Sequence, residues 1–385
     1  MKVAVLIAFA AVPLVIWIYL LFGRGWFWRV SKQMRPMGLP FVEGREVVAA
    51  VPARNEGDSI GKAISSLLQQ QIEPPLRVVM VDDASTDGTA DAARAAAEEL
   101  HATEQLVVLK GQPLEPGWTG KLWALAQGVD RALESAPDYL LFTDADIVHA
   151  PKSVAGLIAV AEAYDCDLAS YMVKLANRSF AENALIPAFV FFFLMLYPPL
   201  WIANPKARTA GAAGGCILIR PEALRRIGGI RAIRNEVIDD CSLANAVKTS
   251  GGRLWMGLTE ETRSIRNYSS FREIEHLISR TAFSQLRHST GLLVGTIAGL
   301  FITYIAPITL LFCGRIVPLV LAAAAWLLMS VAYIPMVRFY ELPVWWSLAL
   351  PAIAVFYAGA TIHSAISYWK GKGGQWKGRI QDANR

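Results

Sequence analysis

Charged residues are scarce in this 385-residue chain, where they make up 18% of the sequence against 54% for hydrophobic residues. This composition has fewer charged and more hydrophobic residues than an ordinary soluble protein, which indicates that part of the chain lies in lipid. The four cysteines show no CxxC or other metal-ligand spacing, so reduced packing residues are their default role. No basic stripe with a nucleic-acid motif occurs, and the net charge of +5 suits anionic lipid headgroups better than nucleic acid.

The N-terminal apolar run, residues 3–22, lacks charge and is long enough to cross a bilayer as a helix. We therefore predict a transmembrane anchor over residues 1–23. A cleaved signal peptide is the alternative, but the run is longer than a usual signal-peptide core and continues into Arg24 and aromatic residues. Basic residues in the juxtamembrane segment 24–45 favour a cytosolic location for the residues after the anchor.

Three further apolar stretches, 292–312, 316–336 and 344–366, predict a transmembrane region over residues 291–368. Arginines between residues 263 and 287 again mark the cytosolic side, so a cytosolic domain is predicted over residues 46–290. The number of predicted crossings conflicts with the positions of the basic residues. Four crossings would put the basic tail 369–385, with Lys370, Lys372, Lys377 and Arg379, on the far side. Re-entry of one C-terminal stretch would solve this, and the sequence does not say which.

The central part alternates between short β-branched runs and Ala-rich amphipathic runs. Strands are predicted at residues 46–51, 76–81, 105–109 and 139–143, with helices at 60–70, 89–100 and 121–133 between them. This order predicts an α/β fold with a doubly wound, mostly parallel sheet. Ligands of such sheets bind beyond the carboxyl ends of the strands.

Residues 185–203 are apolar but are interrupted by Pro187 and by Pro198-Pro199. A full crossing here would place the acidic motifs on its two sides in different compartments, which one active site does not permit. We interpret the segment as an interfacial, lipid-contacting helix, with a plain core helix as the alternative.

Acidic motifs occur after the predicted strands. VPARNE ends the first strand and VDDASTDGT the second, where Asp82 and Asp83 repel each other and need donors or a ligand such as uracil and ribose. Turn and helix-cap roles are the alternative for single residues here. The fourth strand ends in Asp144-Ala145-Asp146, a spacing that suits Mg²⁺ or Mn²⁺ bridging to phosphates.

Two further motifs lie at predicted helix starts. Lys121, in GWTGKLWA, is suited to phosphate oxygens, and a solvated lysine is the alternative. Asp239 and Asp240, in NEVIDDCSLA, would be ionised by the helix dipole and could accept a proton from an attacking hydroxyl. A simple helix cap is the alternative for this pair.

The ordered set PARNE, VDDASTDGT, GK-x-WA, DAD, GGC-x-L-x-RPEAL and DDCSLA resembles family 2 glycosyltransferases of the GT-A fold over roughly residues 45–260. The GWTGKLWA and DDCSLA motifs, together with the N-terminal anchor and the C-terminal apolar stretches, look most like the hopene-associated glycosyltransferases. This branch of the family is bacterial and linked to hopanoid lipids. The resemblance implies a multi-pass protein of the bacterial inner membrane, an inverting reaction and a nucleotide diphosphate sugar donor, with UDP as the nucleotide.

The resemblance also implies roles for individual residues. Lys121 would face the nucleoside or diphosphate, Asp144 and Asp146 would hold the metal and donor sugar, and Asp240 would be the catalytic base. The residues implied to line the nucleoside pocket are Pro52, Ala53, Glu56, Asp82 and Asp83. A divalent cation, Mg²⁺ or Mn²⁺, is the implied cofactor.

Two departures from the family pattern matter. The usual Glu-Asp is Asp239-Asp240 here, so either carboxylate could be the base. The Gln-x-x-Arg-Trp motif is absent, which argues against a polysaccharide synthase. Arg280 lies near its expected place and could reach the diphosphate or touch lipid headgroups.

The predicted acceptor is a membrane lipid whose hydroxyl rises to the site, and the resemblance makes it a hopanoid. A sphingoid or polyprenyl-phosphate acceptor is the near alternative, and a non-catalytic sugar-lipid binding or translocating protein is the more distant one.

Overall fold

The computed structural model describes residues 2–36, 38–376 and 379–380. Within the predicted basic tail, Lys377 and residues 378 and 381–385 lie outside the described residues. The chain divides into two compact units. A helical unit contains Asn177–Leu200, Asn267–Gly373 and the described part of Met1–Gln33, and an α/β unit contains Trp201–Arg266 with the described parts of Met34–Ala176 and Gly374–Arg385.

The described residues form ten strands. They are β1 (Val47–Ala53), β2 (Arg77–Asp82), β3 (Leu106–Lys110), β4 (Tyr139–Thr143), β5 (Ile147–His149), β6 (Leu168–Lys174), β7 (Cys216–Ile219), β8 (Leu254–Ser264), β9 (Gln375–Trp376) and β10 (Arg379–Ile380).

Apart from short 3₁₀ and π segments, α-helices form the rest of the regular structure among the described residues. They are α1 (Lys2–Phe22), α2 (Val30–Gln33), α3 (Gly57–Leu68), α4 (Thr89–Glu99), α5 (Gly120–Leu133), α6 (Ser153–Ala163), α7 (Phe180–Leu196), α8 (Pro199–Ala203), α9 (Pro221–Arg226), α10 (Asp239–Thr249), α11 (Phe271–Gln285), α12 (Thr290–Leu300), α13 (Ala306–Leu310), α14 (Ile316–Phe339) and α15 (Leu350–Trp369).

The α/β unit is built on a mixed sheet with the strand order β3-β2-β1-β4-β7-β6-β8-β5. β3, β2, β1 and β4 are parallel, while β7 runs antiparallel to both β4 and β6. The predicted doubly wound α/β sheet is therefore confirmed. Its core is apolar because the strands are covered on their faces by helices such as α3, whose Ile60, Ile64 and Leu67 are fully buried.

Strand direction positions the candidate site. The carboxyl ends of β1, β2 and β4 meet at one edge of the sheet, since these strands are parallel. β7 is antiparallel to β4 and pairs Cys216 with Thr143, so the glycines before Cys216 lie at that same edge. Residues 52–56, 82–89, 144–146 and 214–216 are therefore brought together by topology.

The helical unit holds long apolar helices. Among the described residues, five segments are long and apolar enough to cross a membrane: Val3–Phe22, Phe180–Ala203, Thr290–Leu310, Ile316–Phe339 and Val344–Trp369. α1 packs against α13 and α14 through Ala10, Leu310 and Ala322. The Trp17 indole N–H donates to the Thr303 carbonyl at 3.0 Å, which satisfies a polar group that lipid could not.

The proline-broken segment Phe180–Ala203 lies between β6 and β7 in the chain. These two strands pair with each other, Ala169 facing Leu218, so the residues before and after the segment lie on the same side of any membrane. A single complete crossing is incompatible with that pairing. The pairing of β6 with β7 is consistent with the interfacial interpretation of the segment, which remains a prediction.

Candidate active site

A pocket at the carboxyl edge of the sheet is lined by five of the eleven predicted site residues. Its polar lining comes from Lys121, Asp144, Asp239 and Asp240, with the backbone of Gly214 beside them. Pro52 also lines the pocket, and its apolar floor is formed by Leu122, Leu125, Phe142, Ile217, Ile233 and Leu243. Residues from β1, β4, α5 and α10 thus converge on one site, as the sequence motifs predicted.

Lys121 links two of these motifs. Its ammonium lies 2.9 Å from Asp144 Oδ1 and 3.0 Å from Asp239 Oδ2. Lys121 is the second residue of α5, whose start is fixed by the Thr119 hydroxyl accepting from the Leu122 N–H. Burial alone would lower the pKa of Lys121, but the carboxylates of Asp144 and Asp239 raise it, so the group stays charged.

Asp240 is held by backbone donors. The Gly214 N–H donates to its Oδ2 at 2.9 Å and the Cys241 N–H to its Oδ1 at 2.7 Å. Burial and the neighbouring charge of Asp239 raise the pKa of Asp240 to about 6, against the opposing effects of these donors and of Lys121. The carboxyl is therefore able to take up a proton near neutral pH.

The helix-cap alternative for the acidic pair finds no support in the geometry. Asp239 and Asp240 are the first two residues inside α10, and the cap position is Ile238, which makes no side-chain cap hydrogen bond. A Cβ on Gly214 would lie 3.4 Å from Asp240 Oδ2 and 3.6 Å from Lys121 Nζ. The glycine lets the backbone approach both charged groups.

A second cluster of charges surrounds Asp146. The Arg266 guanidinium places its Nε 2.8 Å from Asp146 Oδ2 and its Nη2 2.5 Å from Glu56 Oε1. Burial raises the pKa of Asp146, an effect that Arg266 opposes. Arg266 comes two residues after β8, and the sequence pattern indicated for it only a basic flank of the membrane region.

The paired carboxylates Asp82 and Asp83 find donors within the protein. Asp82 Oδ1 accepts from the Ser85 N–H at 3.1 Å, while Arg54 donates to the Asp83 carbonyl at 2.5 Å and lies 3.7 Å from its carboxylate. A ligand is therefore not needed to explain why two acidic residues stand side by side. Ala53 is fully buried, and its carbonyl accepts from the Asp83 N–H at 2.8 Å.

Arg280 lies on α11 of the helical unit, whereas all the other predicted site residues belong to the α/β unit. Its proposed contact with diphosphate or lipid remains a prediction.

A buried threonine and histidine support the metal motif and the glycine loop, and sequence reasoning missed both. The Thr143 hydroxyl donates to the Gly215 carbonyl at 2.8 Å and lies 3.0 Å from His149 Nε2. Burial lowers the pKa of His149 to about 4, so the ring is neutral and its Nε2–H donates to Thr143. Gly215 is the residue after the glycine whose N–H holds Asp240, so this chain of contacts reaches the candidate base.

Lys248, near the end of α10, secures the chain before the glycine loop. Its ammonium donates to the carbonyls of Trp201, Ile202 and Thr209 at 3.1, 2.8 and 2.6 Å. Burial lowers the pKa of this lysine. The segment 201–209 is thereby attached to the helix that begins with Asp239 and Asp240.

The acidic residues fit a divalent cation that a donor completes. Among the described residues no group of three or more His, Cys, Asp or Glu is arranged to hold a metal by itself. Mg²⁺ binds through about one or two carboxylates plus substrate phosphates, a set that Asp144 and Asp146 can supply. Five carboxylates in the two clusters face two cations, Lys121 and Arg266, which leaves negative charge for a further cation.

Comparison with known proteins shows which family part of the chain is similar to. Residues 49–228 match the sequence profile described as Glycosyl transferase family 2. This part of the chain is therefore similar to family 2 glycosyltransferases, and its fold is the GT-A fold that the motifs predicted.

Individual relatives extend the comparison. The chain is 35% identical over 108 residues to a 4,4'-diaponeurosporenoate glycosyltransferase of Staphylococcus aureus strain bovine RF122 / ET3-1, which covers 28% of this chain and 26% of the relative. The same enzyme of strain USA300 is 37% identical over 102 residues, 26% of this chain. The match thus spans about a quarter of the curated relatives' length.

Among solved structures, the mannosyltransferase PcManGT of Pyrobaculum calidifontis, in complex with GDP-Man and Mn²⁺, superposes with a TM-score of 0.52. The alignment covers 94% of this chain and 99% of the other at 19% identity, so the likeness is one of fold. A weaker match, with a TM-score of 0.39 and 14% identity, is Staphylococcus aureus TarS 1-349 with UDP-GlcNAc, over 87% of this chain and 95% of that one.

Proposed function

We propose that this protein is a membrane-bound, inverting hexosyltransferase that moves a sugar from a UDP-linked donor to a hydroxyl of a membrane lipid, with a hopanoid as the first candidate. The observation that carries the proposal is the pocket in which the half-buried Asp240 carboxyl lies beside the Lys121 and Asp144 pair. A proton acceptor and groups able to bind a diphosphate then share one site.

At the anomeric carbon of the sugar, the reaction forms one bond and breaks another. Asp240 takes the proton of the acceptor hydroxyl while the hydroxyl oxygen forms a bond to the anomeric carbon of the sugar. The bond from that carbon to the diphosphate oxygen breaks in the same step. Direct displacement inverts the anomeric configuration. Lys121 stabilises charge on the departing nucleoside diphosphate.

Asp146, with Asp144, would hold the divalent cation, which when bound supplies positive charge at the diphosphate. Pro52, Glu56, Asp82 and Asp83 would line the nucleoside side of the pocket, and Ala53 would support it through its backbone. The nucleotide is proposed to be UDP on the strength of the motifs, although solved neighbours hold either GDP-Man or UDP-GlcNAc.

A lipid acceptor is supported by the apolar helices and by the relatives named for glycosylating 4,4'-diaponeurosporenoate. We place the α/β unit in the cytosol of a bacterium, at the inner membrane, because basic residues flank the apolar segments on its side. Arg280 would contact either the donor diphosphate or lipid headgroups.

The test is incubation of the purified full-length protein with a panel of nucleotide sugars and with hopanoid, sphingoid and polyprenyl-phosphate acceptors, read by mass spectrometry. The expected product is a lipid heavier by one hexose, formed by wild type and lost in Asp240→Asn. Sugar found on protein or on a soluble glycan would overturn the lipid assignment. Equal lipid binding without turnover in both proteins would instead favour a non-catalytic binding module.

A further inference from the structure

Arg266 occupies a distinctive place beside the metal motif. Its guanidinium joins two carboxylates that are distant in sequence, Asp146 and Glu56, at 2.8 and 2.5 Å. The backbone is fixed there as well, because the Ile265 N–H donates to the Asp146 carbonyl at 2.9 Å. The arginine is therefore the counterion of a nearly buried pair of acids.

The carboxylate of Asp146 has two possible partners. Arg266 contacts Oδ2, and a divalent cation held by Asp146 would need a carboxylate oxygen at about 2.1 Å. Two cations crowded on one carboxylate repel each other, so occupation by a metal disfavours the ion pair. Binding of the metal and contact with the arginine are therefore in competition.

The two cations of the site differ in their freedom to move. The Lys121 side chain is 19% exposed, while the Arg266 side chain is 34% exposed. A planar guanidinium also matches diphosphate oxygens with two parallel hydrogen bonds, which an ammonium does not. Arg266 is thus the group better able to change partners when a donor arrives.

We propose that Arg266 is an internal counterion that holds Asp146 and Glu56 in the free protein, yields Asp146 to the divalent cation, and then binds the diphosphate of the donor. The inference rests on the proposed function, since it assumes a nucleoside diphosphate substrate. It assigns a binding residue that the sequence motifs do not contain.

The test measures Mn²⁺ and UDP separately on the purified full-length protein. Without nucleotide, Arg266→Gln is expected to bind Mn²⁺ about fivefold more tightly, the order of effect for a partly exposed competing charge. With saturating Mn²⁺, the same variant is expected to bind UDP about tenfold more weakly, because a charge-assisted contact is lost. Titration followed by Mn²⁺ electron paramagnetic resonance and by calorimetry gives both values.

Controls separate this idea from a general change in charge or fold. Arg225→Gln removes an exposed arginine paired with Glu222 and should leave both affinities unchanged. Asp146→Asn should lose Mn²⁺ binding, and Arg266→Lys, which keeps the charge, should stay near wild type for Mn²⁺. Unchanged or weaker Mn²⁺ binding by Arg266→Gln, or binding by neither protein, would overturn the inference. The transfer assay with nucleotide sugars and lipid acceptors tests the proposed function independently.

A second, independent observation concerns the last apolar segment, Val344–Trp369, in the helical unit. It comes after α14, and at the end of that helix the Tyr340 carbonyl accepts from Asn177 Nδ2 at 2.9 Å. Near Asn177, the Ser179 hydroxyl donates to the Tyr268 carbonyl at 2.9 Å, so the start of α7 lies beside the residues that precede α11. The segment therefore starts on the same side of the membrane as the starts of α7 and α11.

The far end of the segment returns to the same side. Tyr368 stacks on His288 with ring centroids 4.0 Å apart, and the Phe283 N–H donates to Ser364 Oγ at 3.0 Å. Phe283 and His288 belong to the end of α11 and the turn before α12. α11 is itself too polar and short to cross a membrane, so this turn stays on the same side of the membrane as the start of α11.

The geometry points to a re-entrant segment that dips into the membrane and comes back. Its turn meets α14 about halfway along that helix, where the Trp326 indole N–H donates to the Leu348 carbonyl at 3.3 Å. Complete crossings are then made by Val3–Phe22, Thr290–Leu310 and Ile316–Phe339. Lys370 and Lys372 then lie on the same side of the membrane as the other basic flanks. This removes the conflict between the number of crossings and the tendency of basic residues to stay on the cytosolic side.

Cysteine labelling in intact cells tests this topology. Cys313, in the turn between α13 and α14, is the native reporter for the outer side, and Cys166, Cys216 and Cys241 are buried. In a Cys313→Ser background, Lys372→Cys should resist an impermeant maleimide until the cells are permeabilised, whereas wild-type Cys313 should react at once. Labelling of Lys372→Cys from outside would overturn the assignment. A fluorescent protein fused to the C-terminus gives a second measurement, since it should fluoresce only on the cytosolic side.

Discussion

Asp240 is expected to give the transfer reaction an acid limb near pH 6. Burial and the charge of Asp239 raise the pKa of Asp240 from its ordinary value of 3.8 to about 6. A general base works only when it is deprotonated, so activity is present above this pKa and is lost as the pH falls through it.

The size of the effect depends on the fraction of Asp240 that is ionised. With a pKa of about 6, this fraction is roughly 90% at pH 7 and roughly 10% at pH 5, so kcat/KM should fall about tenfold between these values. A carboxyl of ordinary pKa would stay roughly 90% ionised at pH 5 and give no such fall. The two cases are therefore well separated.

Neighbouring residues allow the reasoning to be tested in both directions. Asp239→Asn removes the charge that raises the pKa of Asp240 and should move the acid limb to lower pH. Lys121→Met removes a charge that lowers this pKa and should move the limb to higher pH. Initial rates at low donor and acceptor concentrations give the profiles, with Asp240→Asn, slower by about 10² to 10⁴-fold, as background. A flat wild-type profile between pH 5 and 7, or shifts of both variants in one direction, would refute the assignment.

Three other outcomes are expected from the contacts around the pocket. Thr143→Val removes the hydroxyl that holds the Gly215 carbonyl and should lower kcat while leaving UDP affinity unchanged, and Thr143→Ser should restore the rate; a loss of UDP binding would contradict this. Lys248→Met frees the segment 201–209, so trypsin should cleave there faster than in wild type or Lys248→Arg, and equal cleavage would count against the attachment. Removal of divalent cations by EDTA should abolish transfer, with recovery on addition of Mn²⁺ or Mg²⁺; full activity in EDTA would exclude a required metal at Asp146.

The first half of the sheet could be predicted because its strands are continuous apolar runs. β1, β2 and β4 carry Val, Leu and Ala at successive positions that are nearly all buried, as expected for parallel strands covered on both faces. β8 escaped prediction, since its second half places Glu260, Glu261 and Arg263 among buried residues and its partners β5 and β6 are distant in sequence. Arg266, whose contacts were also not predicted, follows the end of this strand by two residues.

The site residues could be found from sequence, but their partners could not. Parallel strands bring their carboxyl ends to one edge whatever lies between them, so Asp82, Asp83 and Asp144 were predicted to lie at one edge. Only the resemblance to the family added the residues at the starts of α5 and α10. Which acid each cation would contact depends on side-chain directions that no spacing encodes. Arg266 was misread for a related reason: a basic residue before an apolar stretch has the same pattern whether it faces lipid headgroups or a buried acid.

The structure also bears on which member of the acidic pair should act as the base. Asp239 has one carboxylate oxygen in an ion pair with Lys121, while Asp240 accepts from the backbone N–H groups of Gly214 and Cys241. Burial and the neighbouring charge of Asp239 raise the pKa of Asp240, which favours proton uptake by that carboxyl. Asp239 is thus suited to hold Lys121 at the diphosphate, and Asp240 to receive the proton. The opposite pH shifts expected for Asp239→Asn and Lys121→Met depend on this division of roles.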